Sequence, residues 1–495
     1  MSAGDALLAV DLGAESGRAV LGRFDGKRLH LEELVRFPNQ PVTVGDTLYW
    51  DIVGIHAHVG QAIEQARASG GLRSVGVDTW GVDFGLLDRT GRLIANPVHY
   101  RDRRTEGIMR RALEIVPQAT IFAATGNMFL ELNTLYQLLA LRLANDPSLE
   151  IADRMLNIPD LLHYWLSGTM AHELTIASTT QCMAANRKEW AWDLLRQLEI
   201  PTRLFRDIVP PATRLGSLLA DREVSVVAPA SHDTASAVMA VPAQGDDVAW
   251  ISSGTWSVVG VVTEAPVVTP EVLAWNFTNE ALGVGRNRLS RNVMGLWILQ
   301  ESRREWEREG QALAYADLVE LAGRSAPLRS LVDPDDPQFF RPGQMVDRIR
   351  RYCAASGQPL PRLPGEIARC IFESLALAYR RAIEWLEALT DRKIERIHII
   401  GGGSRNSLLC QFTANAAGRP VVAGPAEATA IGNLLAQALV NGWIGSLADA
   451  PEVVAQSFPT QEFSPKGDRA WHEAFVRFQG FAGGGADHET ASADG

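Results

Sequence analysis

The fold is decided by residues 7–21, which read Leu7-Leu8-Ala9-Val10-Asp11-Leu12-Gly13-Ala14-Glu15-Ser16-Gly17-Arg18-Ala19-Val20-Leu21. Two apolar runs flank a short turn of small and hydroxyl residues, a pattern that predicts a β-hairpin. Half a chain later, residues 248–262 repeat the pattern as Val248-Ala249-Trp250-Ile251-Ser252-Ser253-Gly254-Thr255-Trp256-Ser257-Val258-Val259-Gly260-Val261-Val262. The repetition predicts a duplicated domain, with its boundary in the polar residues 242–247.

The length of 495 residues also favours two domains, because single cores rarely grow so large. We expect one lobe over residues 1–244, a second over 245–482, and a disordered tail over 483–495, which lacks apolar content. Buried strands are predicted at residues 74–78, 224–228 and 397–400, between segments with helical spacing. The pattern indicates the α/β class.

Charge and composition limit the classes of binding partner that this chain can have. The formal net charge is −11, which argues against nucleic acid or an anionic membrane as the main partner. No apolar run approaches the roughly 18 residues of a membrane span, and no export signal is evident at the N-terminus. The four cysteines show no C-x-x-C spacing, so we expect reduced thiols and a cytoplasmic protein.

Both hairpin turns have the residue types that hold phosphate. Residues 13–18 and 253–255 combine small residues, backbone amides and hydroxyls, although either segment alone is more typical of a plain β-turn. Two matching turns favour bound nucleotide phosphates. Asp11, just before the first turn, either holds Mg²⁺ or bonds its own turn. Glu15 fits less well, because a carboxylate is repelled by phosphate.

Two common nucleotide motifs are excluded. No G-x-x-x-x-G-K-[ST] occurs, so the chain is not a P-loop enzyme. Gly401-Gly402-Gly403-Ser404-Arg405-Asn406 follows a strand and opens a helix, but Asn406 stands where a dinucleotide fingerprint needs its third glycine. Close approach of backbone to a nucleotide and a simple helix-capping turn both remain open for this segment.

The sharpest candidate for catalysis is Asp233, in Ala230-Ser231-His232-Asp233-Thr234-Ala235-Ser236-Ala237-Val238. This segment follows a buried strand and opens a helix, so Asp233 alone is most simply a helix N-cap. The same position suits a general base that accepts the proton of a sugar hydroxyl during phosphoryl transfer. Gly76-Val77-Asp78-Thr79-Trp80-Gly81-Val82-Asp83-Phe84 supplies a partner for it, since Trp80 offers an apolar face for sugar C–H groups.

These motifs, taken in order, resemble those of the FGGY carbohydrate kinases over residues 7–475. The resemblance rests on the segments just quoted and on Asn292-Val293-Met294-Gly295-Leu296-Trp297 with Gln300, Gly401-Gly402-Gly403, and Gly424-Pro425-Ala426-Glu427-Ala428-Thr429. It implies an α/β fold of two actin-like (ribonuclease H-like) lobes with an interdomain active-site cleft. The sugar would lie deep in that cleft and the nucleotide mostly on the second lobe.

The resemblance also implies an activity and a set of site residues. We expect ATP-dependent phosphorylation of L-rhamnulose at its 1-hydroxyl, with Mg²⁺, by a monomer or homodimer. L-fuculose, xylulose and a non-catalytic actin-like nucleotide sensor are the alternatives. Asp233 corresponds to the base and Asp11 to a metal-side carboxylate. The expected sugar contacts are Gly81, His232, Thr234 and Asn292, and the expected ATP contacts are Ala14, Glu15, Ser16, Gly17, Arg18, Thr255, Gln300 and Gly402.

Overall fold

The chain forms two compact units, each of which gathers several segments of the sequence. The computed structural model describes residues 4–185, 189–242, 245, 247–283, 285–467 and 469–482. The first unit comprises Met1–Gln244, Val262–Ser290 and Glu427–Phe458, and the second comprises Gly245–Val261, Arg291–Ala426 and Pro459–Gly495. The longest segment of the first unit ends at Gln244, and the chain returns to this unit twice. The expected lobe boundaries at residues 244 and 245 stay a prediction. The expected tail at residues 483–495 lies outside the described residues.

A six-stranded mixed sheet forms the centre of the first unit. Its strands, in spatial order, are Thr213–Leu218, Asp221–Ala228, Leu72–Thr79, Ala6–Leu12, Ser16–Phe24 and Leu29–Pro38. The predicted hairpin of residues 7–21 is confirmed, because Ala6–Leu12 pairs antiparallel with Ser16–Phe24. Ala6–Leu12 also pairs parallel with Leu72–Thr79, which in turn pairs parallel with Asp221–Ala228. The carboxyl ends of these three strands therefore meet at one edge of the sheet.

The first unit has further strands and helices outside this sheet. The further strands are Pro41–Val44, Thr47–Trp50, Phe84–Leu87, Arg154–Asn157, His172–Glu173, Ile208–Val209 and Thr278–Gly283. The α-helices are Ile52–Ala68, Ile108–Ile115, Gln118–Thr125, Thr134–Leu143, Pro147–Ile151, Ile158–Ser167, Leu174–Ala177, Trp192–Gln197, Asp233–Met239, Pro270–Ala274, Ala428–Val440 and Ala450–Ser457. Short 3₁₀ turns occupy Arg103–Thr105, Thr202–Leu204 and Leu447–Asp449.

The core of the first unit follows from strand periodicity. Leu8, Val10 and Leu12 alternate along one strand and belong to a buried apolar cluster that includes residues of the helices Ile52–Ala68 and Ile158–Ser167. The helix Ala428–Val440 covers the sheet as well, and a Cβ added at Gly22 would meet its Leu434. Burial of both faces explains why these strands are continuous apolar runs.

The second unit repeats the same arrangement. Val248–Ser253 pairs antiparallel with Trp256–Thr263 and parallel with Arg396–Ile400, so the second predicted hairpin is confirmed. Val421–Ala423 and Gln461–Phe463 follow as the next two strands. The strands Trp256–Thr263 and Arg286–Met294 each contain a division between the units. The helices are Trp297–Arg308, Tyr315–Arg324, Met345–Ala355, Pro364–Thr390, Ser407–Ala417 and Arg469–Ala482, with 3₁₀ turns at Pro337–Phe339 and Gly402–Arg405. The four cysteines are buried free thiols.

Candidate active site

In the hairpin of the first unit, an arginine lies between two carboxylates. Arg18 donates from Nε and Nη2 to Oδ2 of Asp11, at 2.9 and 2.6 Å, and from Nη1 to Oε2 of Glu427. Asp11 and Arg18 are direct partners in the antiparallel pairing, which places their side chains together. Sequence reasoning misses Glu427 as a site residue, because 409 positions separate it from Arg18. The hairpin thus carries a mostly buried ion triad.

The turn of this hairpin is fixed by an asparagine from the next strand end. Asn39 donates from Nδ2 to the carbonyl of Gly13 at 2.8 Å and from its amide to the carbonyl of Glu15 at 3.0 Å. Ala14 is half-buried, and Glu15 is exposed. At Gly17, a Cβ would overlap the ring of Phe37. Packing alone therefore requires glycine at this position, whatever the turn binds.

Asp78 brings a second carboxylate to the same sheet edge as Asp11. The two residues are partners in the parallel pairing of their strands. Asp78 is fully buried, and its Oδ2 accepts from Nδ2 of Asn433 at 2.6 Å. Burial raises the pKa of Asp78 well above its usual range, and the charge of Asp11 adds to this, whereas the Asn433 hydrogen bond opposes it.

The segment that carries Asp233 is anchored from two sides. The amide of Thr79 donates to the carbonyl of Ser231 at 2.9 Å, which joins the segment to the end of the strand Leu72–Thr79. On the other side, the amide of Ser231 donates to Oε2 of the buried Glu173 at 3.0 Å. The amide of His232 donates to Oγ1 of Thr175 at 3.1 Å. The strand end fixes where this segment lies, and Glu173 and Thr175 restrict its movement.

Asp233 is the first residue of the helix Asp233–Met239, and His232 occupies the N-cap. The interpretation of Asp233 as the N-cap is therefore wrong by one position, because the chain enters the helical conformation only after His232. Oδ1 of Asp233 accepts from the amide of Thr234 at 2.5 Å and from Oγ1 of Thr234 at 3.0 Å. About a third of the side chain is exposed (32%). Burial raises the pKa of Asp233; the neighbouring His232 opposes this and Asp11 adds to it.

His232 connects Asp233 to a buried ion pair. Its Nε2 lies 3.4 Å from Oδ1 of Asp233. Its Nδ1 lies 2.9 Å from Nη2 of Arg288 and 3.4 Å from Oε2 of Glu280. Arg288 is fully buried and donates from Nη2 to Oε2 of Glu280 at 2.7 Å. Sequence reasoning identifies His232 and misses both of its charged neighbours.

The predicted sugar-side turn at residues 80–83 lies directly after the strand that anchors Ser231. Asp83 is its hub: Oδ2 accepts from Nε1 of Trp50 at 2.6 Å, from Nε1 of Trp80 at 3.0 Å and from the amide of Tyr100 at 3.2 Å. Burial raises the pKa of Asp83 to about 6 against the pull of its hydrogen-bond donors, the largest being Trp50. Gly81 faces Thr179, to which an added Cβ would approach within 3.0 Å.

In the second unit, the matching turn packs against the start of the helix Trp297–Arg308. The amide of Leu296 donates to the carbonyl of Gly254 at 3.0 Å, and Nε2 of Gln300 lies 3.4 Å from Oγ1 of Thr255. A Cβ at Gly295 would come within 2.8 Å of the Gly254 carbonyl oxygen, so glycine is required for this approach. The structure thus brings Thr255 and Gln300 together.

The glycine run of the second unit lies beside the same turn. Gly401 adopts a φ of 79°, and a Cβ at Gly403 would overlap the side chain of Ser253. Gly402 is exposed, with nothing within 4 Å of a Cβ placed there. Asn406, which breaks the dinucleotide fingerprint, caps the helix Ser407–Ala417 by accepting from the amide of Leu409 at 3.0 Å.

Asn292 lies half-buried on the strand Arg286–Met294. Its neighbours are held by Asp335, which accepts from the amide of Met294 at 3.0 Å and from Nη2 of Arg291 at 3.1 Å. Asp335 thus anchors the strand on both sides of Asn292.

The chemistry available in the first unit is that of a positioned carboxylate. Asp233 is partly exposed, it has a raised pKa, and the chain on both sides of it is anchored. A carboxylate in that state accepts a proton from a hydroxyl more readily than an ordinary aspartate does. Among the residues that the structure describes, no group of three or more His, Cys, Asp or Glu side chains is arranged to hold a metal ion alone. No helix in the described ranges is long and apolar enough to cross a membrane.

Comparison with known proteins supports a common ancestry along the whole chain. The model for the N-terminal domain of the FGGY family of carbohydrate kinases matches residues 6–239, and that for the C-terminal domain matches residues 249–440. A rhamnulokinase from Bacteroides thetaiotaomicron is 44% identical over 479 residues, which cover 95% of this chain and 98% of that protein. A rhamnulokinase from Oceanobacillus iheyensis is 39% identical, with 91% of this chain and 96% of that protein covered.

Solved structures share the fold at much lower identity. A ligand-bound xylulose kinase from Lactobacillus acidophilus matches with a TM-score of 0.81 at 15% identity, covering 99% of each chain. A gluconate kinase from the same organism matches with a TM-score of 0.80 at 16% identity, again covering 99% of each chain. A glycerol kinase from Plasmodium falciparum with ADP matches with a TM-score of 0.77 at 14% identity, covering 97% of this chain and 98% of that one. The expected fold of two actin-like lobes is confirmed by these matches.

Proposed function

Because the chain belongs to the FGGY family of carbohydrate kinases, we propose that it phosphorylates L-rhamnulose at the 1-hydroxyl, using ATP. The products are L-rhamnulose 1-phosphate and ADP. The observation that carries this choice of sugar is the 44% identity to a rhamnulokinase over 95% of the chain. We further propose that it works in the cytoplasm, as a monomer or homodimer, with the sugar and ATP rather than nucleic acid or a membrane as its partners.

In this proposal Asp233 is the general base. The O–H bond of the sugar breaks, and its proton passes to the Asp233 carboxylate. The hydroxyl oxygen forms a bond to the γ-phosphorus while the bond between that phosphorus and the β,γ-bridging oxygen breaks, and ADP leaves with the electron pair. The contacts from Thr234 and His232 both fall on Oδ1, so we assign proton acceptance to Oδ2.

The other site residues orient the two substrates. We assign the sugar contacts to Gly81, His232, Thr234 and Asn292. The anchored turn at residues 80–83 supports this assignment, because Asp83 fixes the ring of Trp80 through its indole N–H. We assign the nucleotide contacts to the turn residues Ala14, Glu15, Ser16, Gly17 and Arg18 and to Thr255, Gln300 and Gly402.

Magnesium fits the carboxylate of Asp11. Mg²⁺ in kinases usually takes only one or two protein carboxylates and completes its coordination with water and phosphate oxygens. Asp11 offers one carboxylate at this sheet edge, whereas the neighbouring Asp78, whose pKa is raised by burial and whose Oδ2 accepts from Asn433, is the poorer ligand. The ion would neutralise charge on the transferred phosphoryl group. Arg18, which already contacts Asp11, would add positive charge beside the transferred phosphoryl group.

The substrate is tested by a panel of ketoses in an ADP-release assay. We expect kcat/KM for L-rhamnulose to exceed that for L-fuculose and xylulose by at least tenfold, because hydrogen-bonded hydroxyls are discriminated strongly. Equal rates on all three sugars would contradict the proposed substrate, and absence of turnover on each would favour a nucleotide sensor. Asp233→Asn serves as the matched variant: its kcat should fall about 10²–10⁴-fold while ATP binding persists.

A further inference from the structure

His232 lies between the proposed base and a buried ion pair, and its hydrogen bonds define its protonation pattern. Arg288 donates only, because a guanidinium has no acceptor atom. With Nη2 of Arg288 at 2.9 Å, Nδ1 of His232 must therefore be the acceptor. In the neutral ring the single proton then resides on Nε2, the nitrogen that lies 3.4 Å from Oδ1 of Asp233.

The opposite tautomer is disfavoured by the same contacts. A proton on Nδ1 would reach Oε2 of Glu280 at 3.4 Å, but it would also face the N–H groups of Arg288 at 2.9 Å. Two donors that face each other cannot form a hydrogen bond, so the 2.9 Å contact between His232 and Arg288 would be lost. Glu280 instead accepts the shorter contact, at 2.7 Å, from Nη2 of Arg288. The shorter distances thus select one chain of donors and acceptors, from Glu280 through Arg288 and His232 to Asp233.

The burial of Arg288 indicates that its contacts with Glu280 and His232 do more than stabilise the fold. Arg288 is fully buried, and its Nε and Nη1 have no hydrogen-bond partner among the described residues. A buried ion pair with donors left unpaired is a weak source of stability, and an apolar pair of similar size often does better. Arg288 is fully buried and lies 2.9 Å from Nδ1 of His232, so His232 is the side chain through which it can orient Asp233.

We propose that Arg288 is a positioning residue for phosphoryl transfer, which fixes His232 as the Nε2-protonated tautomer and thereby directs an N–H group at Oδ1 of Asp233. That N–H joins the two donors of Thr234 on Oδ1 and so orients the carboxylate with Oδ2 toward the sugar hydroxyl. Glu280 holds the guanidinium in place. The inference rests on the proposed function only in its kinetic consequence, since the tautomer is a property of the protein alone.

The test reads the tautomer directly, by NMR of the full-length protein labelled with ¹⁵N in its histidine rings. The signals of His232, one of ten histidines, are assigned from their loss in His232→Gln. We expect a pyridine-type Nδ1 and a pyrrole-type Nε2. In Arg288→Met, Nδ1 gains the proton and turns toward Glu280, so the two types exchange or mix. A protonated Nδ1 in the unchanged protein, or an unaltered pattern in Arg288→Met, would overturn the proposal.

Kinetics provide the second readout. We expect Arg288→Met to lower kcat about tenfold with the KM for ATP unchanged, because the base is misdirected while the nucleotide site is intact. Arg288→Lys retains a donor and should keep the Nε2-protonated ring, which covers the case in which the methionine variant fails to fold. Arg196→Met, which removes an exposed arginine paired with Asp193, is the matched control and should leave kcat and the ring signals unchanged.

Failure of the two proposals can be told apart. If L-rhamnulose is a poor substrate but the ring signals follow expectation, the choice of sugar is wrong and the positioning role stands for another acceptor. If L-rhamnulose is the preferred substrate but Arg288→Met turns over at the original rate, the kinase assignment stands and Arg288 is a structural residue.

Discussion

Glu173 is a single carboxylate that joins two segments of the first unit. It accepts from the amide and hydroxyl of Thr175 at 2.9 and 2.6 Å, and from the amide of Ser231 at 3.0 Å. It is almost fully buried, and burial raises its pKa to about 7, with its hydrogen bonds opposing the shift. The residue therefore stabilises the segment of Asp233 at the cost of an ionisable group held away from water.

The raised pKa of Glu173 predicts a pH dependence of stability. An acid whose pKa is raised on folding contributes its full stability below the unfolded-state pKa and loses it as the pH rises through the folded-state pKa. Between about pH 4.5 and 7, the free energy of unfolding should therefore fall, relative to Glu173→Gln, by on the order of 3 kcal/mol. Urea denaturation of both proteins at several pH values measures this difference.

The control for this prediction is Glu64→Gln, which removes an exposed carboxylate paired with Arg67 on a surface helix. Its free energy of unfolding should parallel that of the original protein across the same pH range. If the free energy of unfolding of Glu173→Gln also ran parallel to that of the original protein, folding would not raise the pKa of Glu173 and the prediction would be wrong.

The turn at residues 80–83 shows how a whole element is held in an unfavourable conformation. Val82 has a φ of 70°, a region that β-branched residues rarely occupy. Its carbonyl accepts from Oγ1 of Thr134 at 2.5 Å, and its amide donates to Oγ1 of Thr179 at 3.2 Å. Together with the hydrogen bonds that Asp83 accepts, these bonds outweigh the local strain of roughly 1–3 kcal/mol. Such a turn is preorganised before any sugar binds.

We expect Asp83→Asn to loosen this turn. The new amide group would face Nε2 of Gln137, which now donates to Oδ1 of Asp83 at 3.0 Å. Stability should fall by about 1–3 kcal/mol, because a buried hydrogen bond is lost. The KM for the ketose should rise about 3- to 10-fold with the KM for ATP unchanged, because a turn without the Gln137 hydrogen bond holds Trp80 less firmly. Steady-state kinetics in both substrates measure this split.

Asp88→Asn is the matched control, since Asp88 accepts the amide of Thr90 in an exposed turn nearby. It should change neither KM. An equal rise in both KM values for Asp83→Asn would contradict a specific role of the turn in sugar binding.

Among the secondary-structure elements, the sequence predicts those that depend on neighbouring residues. Both hairpins, the strand before Asp233 and the helix after it follow from runs of neighbouring residues. The motif around Asp233 likewise predicts the base itself. The residues that hold this motif are not predictable in this way, because Glu173 contacts Ser231 and Arg288 contacts His232 from 58 and 56 positions away in the sequence. The same holds for Val82, whose φ depends on Thr134 and Thr179 rather than on its own propensity.

The whole molecule is assembled from segments distant in sequence. Glu427–Phe458 belongs to the first unit, although the 136 residues of Arg291–Ala426 separate it from the preceding segment of that unit, Val262–Ser290. Its helix Ala428–Val440 is attached by polar bonds: Gln437 accepts from Oγ of Ser74 at 2.7 Å and donates to the carbonyl of Leu8 at 2.9 Å. A boundary at residue 244 alone therefore leaves the first unit incomplete.

We predict that a fragment of residues 1–244 does not unfold cooperatively, because it lacks both returning segments. Near-UV circular dichroism during a thermal scan measures this, with the full chain as reference. In the full chain, Gln437→Ala should lower stability by about 1–3 kcal/mol, since it leaves buried polar groups unpaired. Gln456→Ala, which removes an exposed side chain from the same segment, should cost no more than about 0.5 kcal/mol. A fragment that melts in one sharp transition would contradict this dependence.

The return of residues 427–458 to the first unit also determines when, during translation, this unit can be completed. A ribosome that adds about 5–20 residues per second needs on the order of 10–40 s to proceed from residue 244 to residue 458. During that interval the nascent first unit lacks the helix Ala428–Val440, which packs on the strands that carry Leu8 and Ser74. Until residue 458 has been synthesised, these strands present a surface on which molecular chaperones can act.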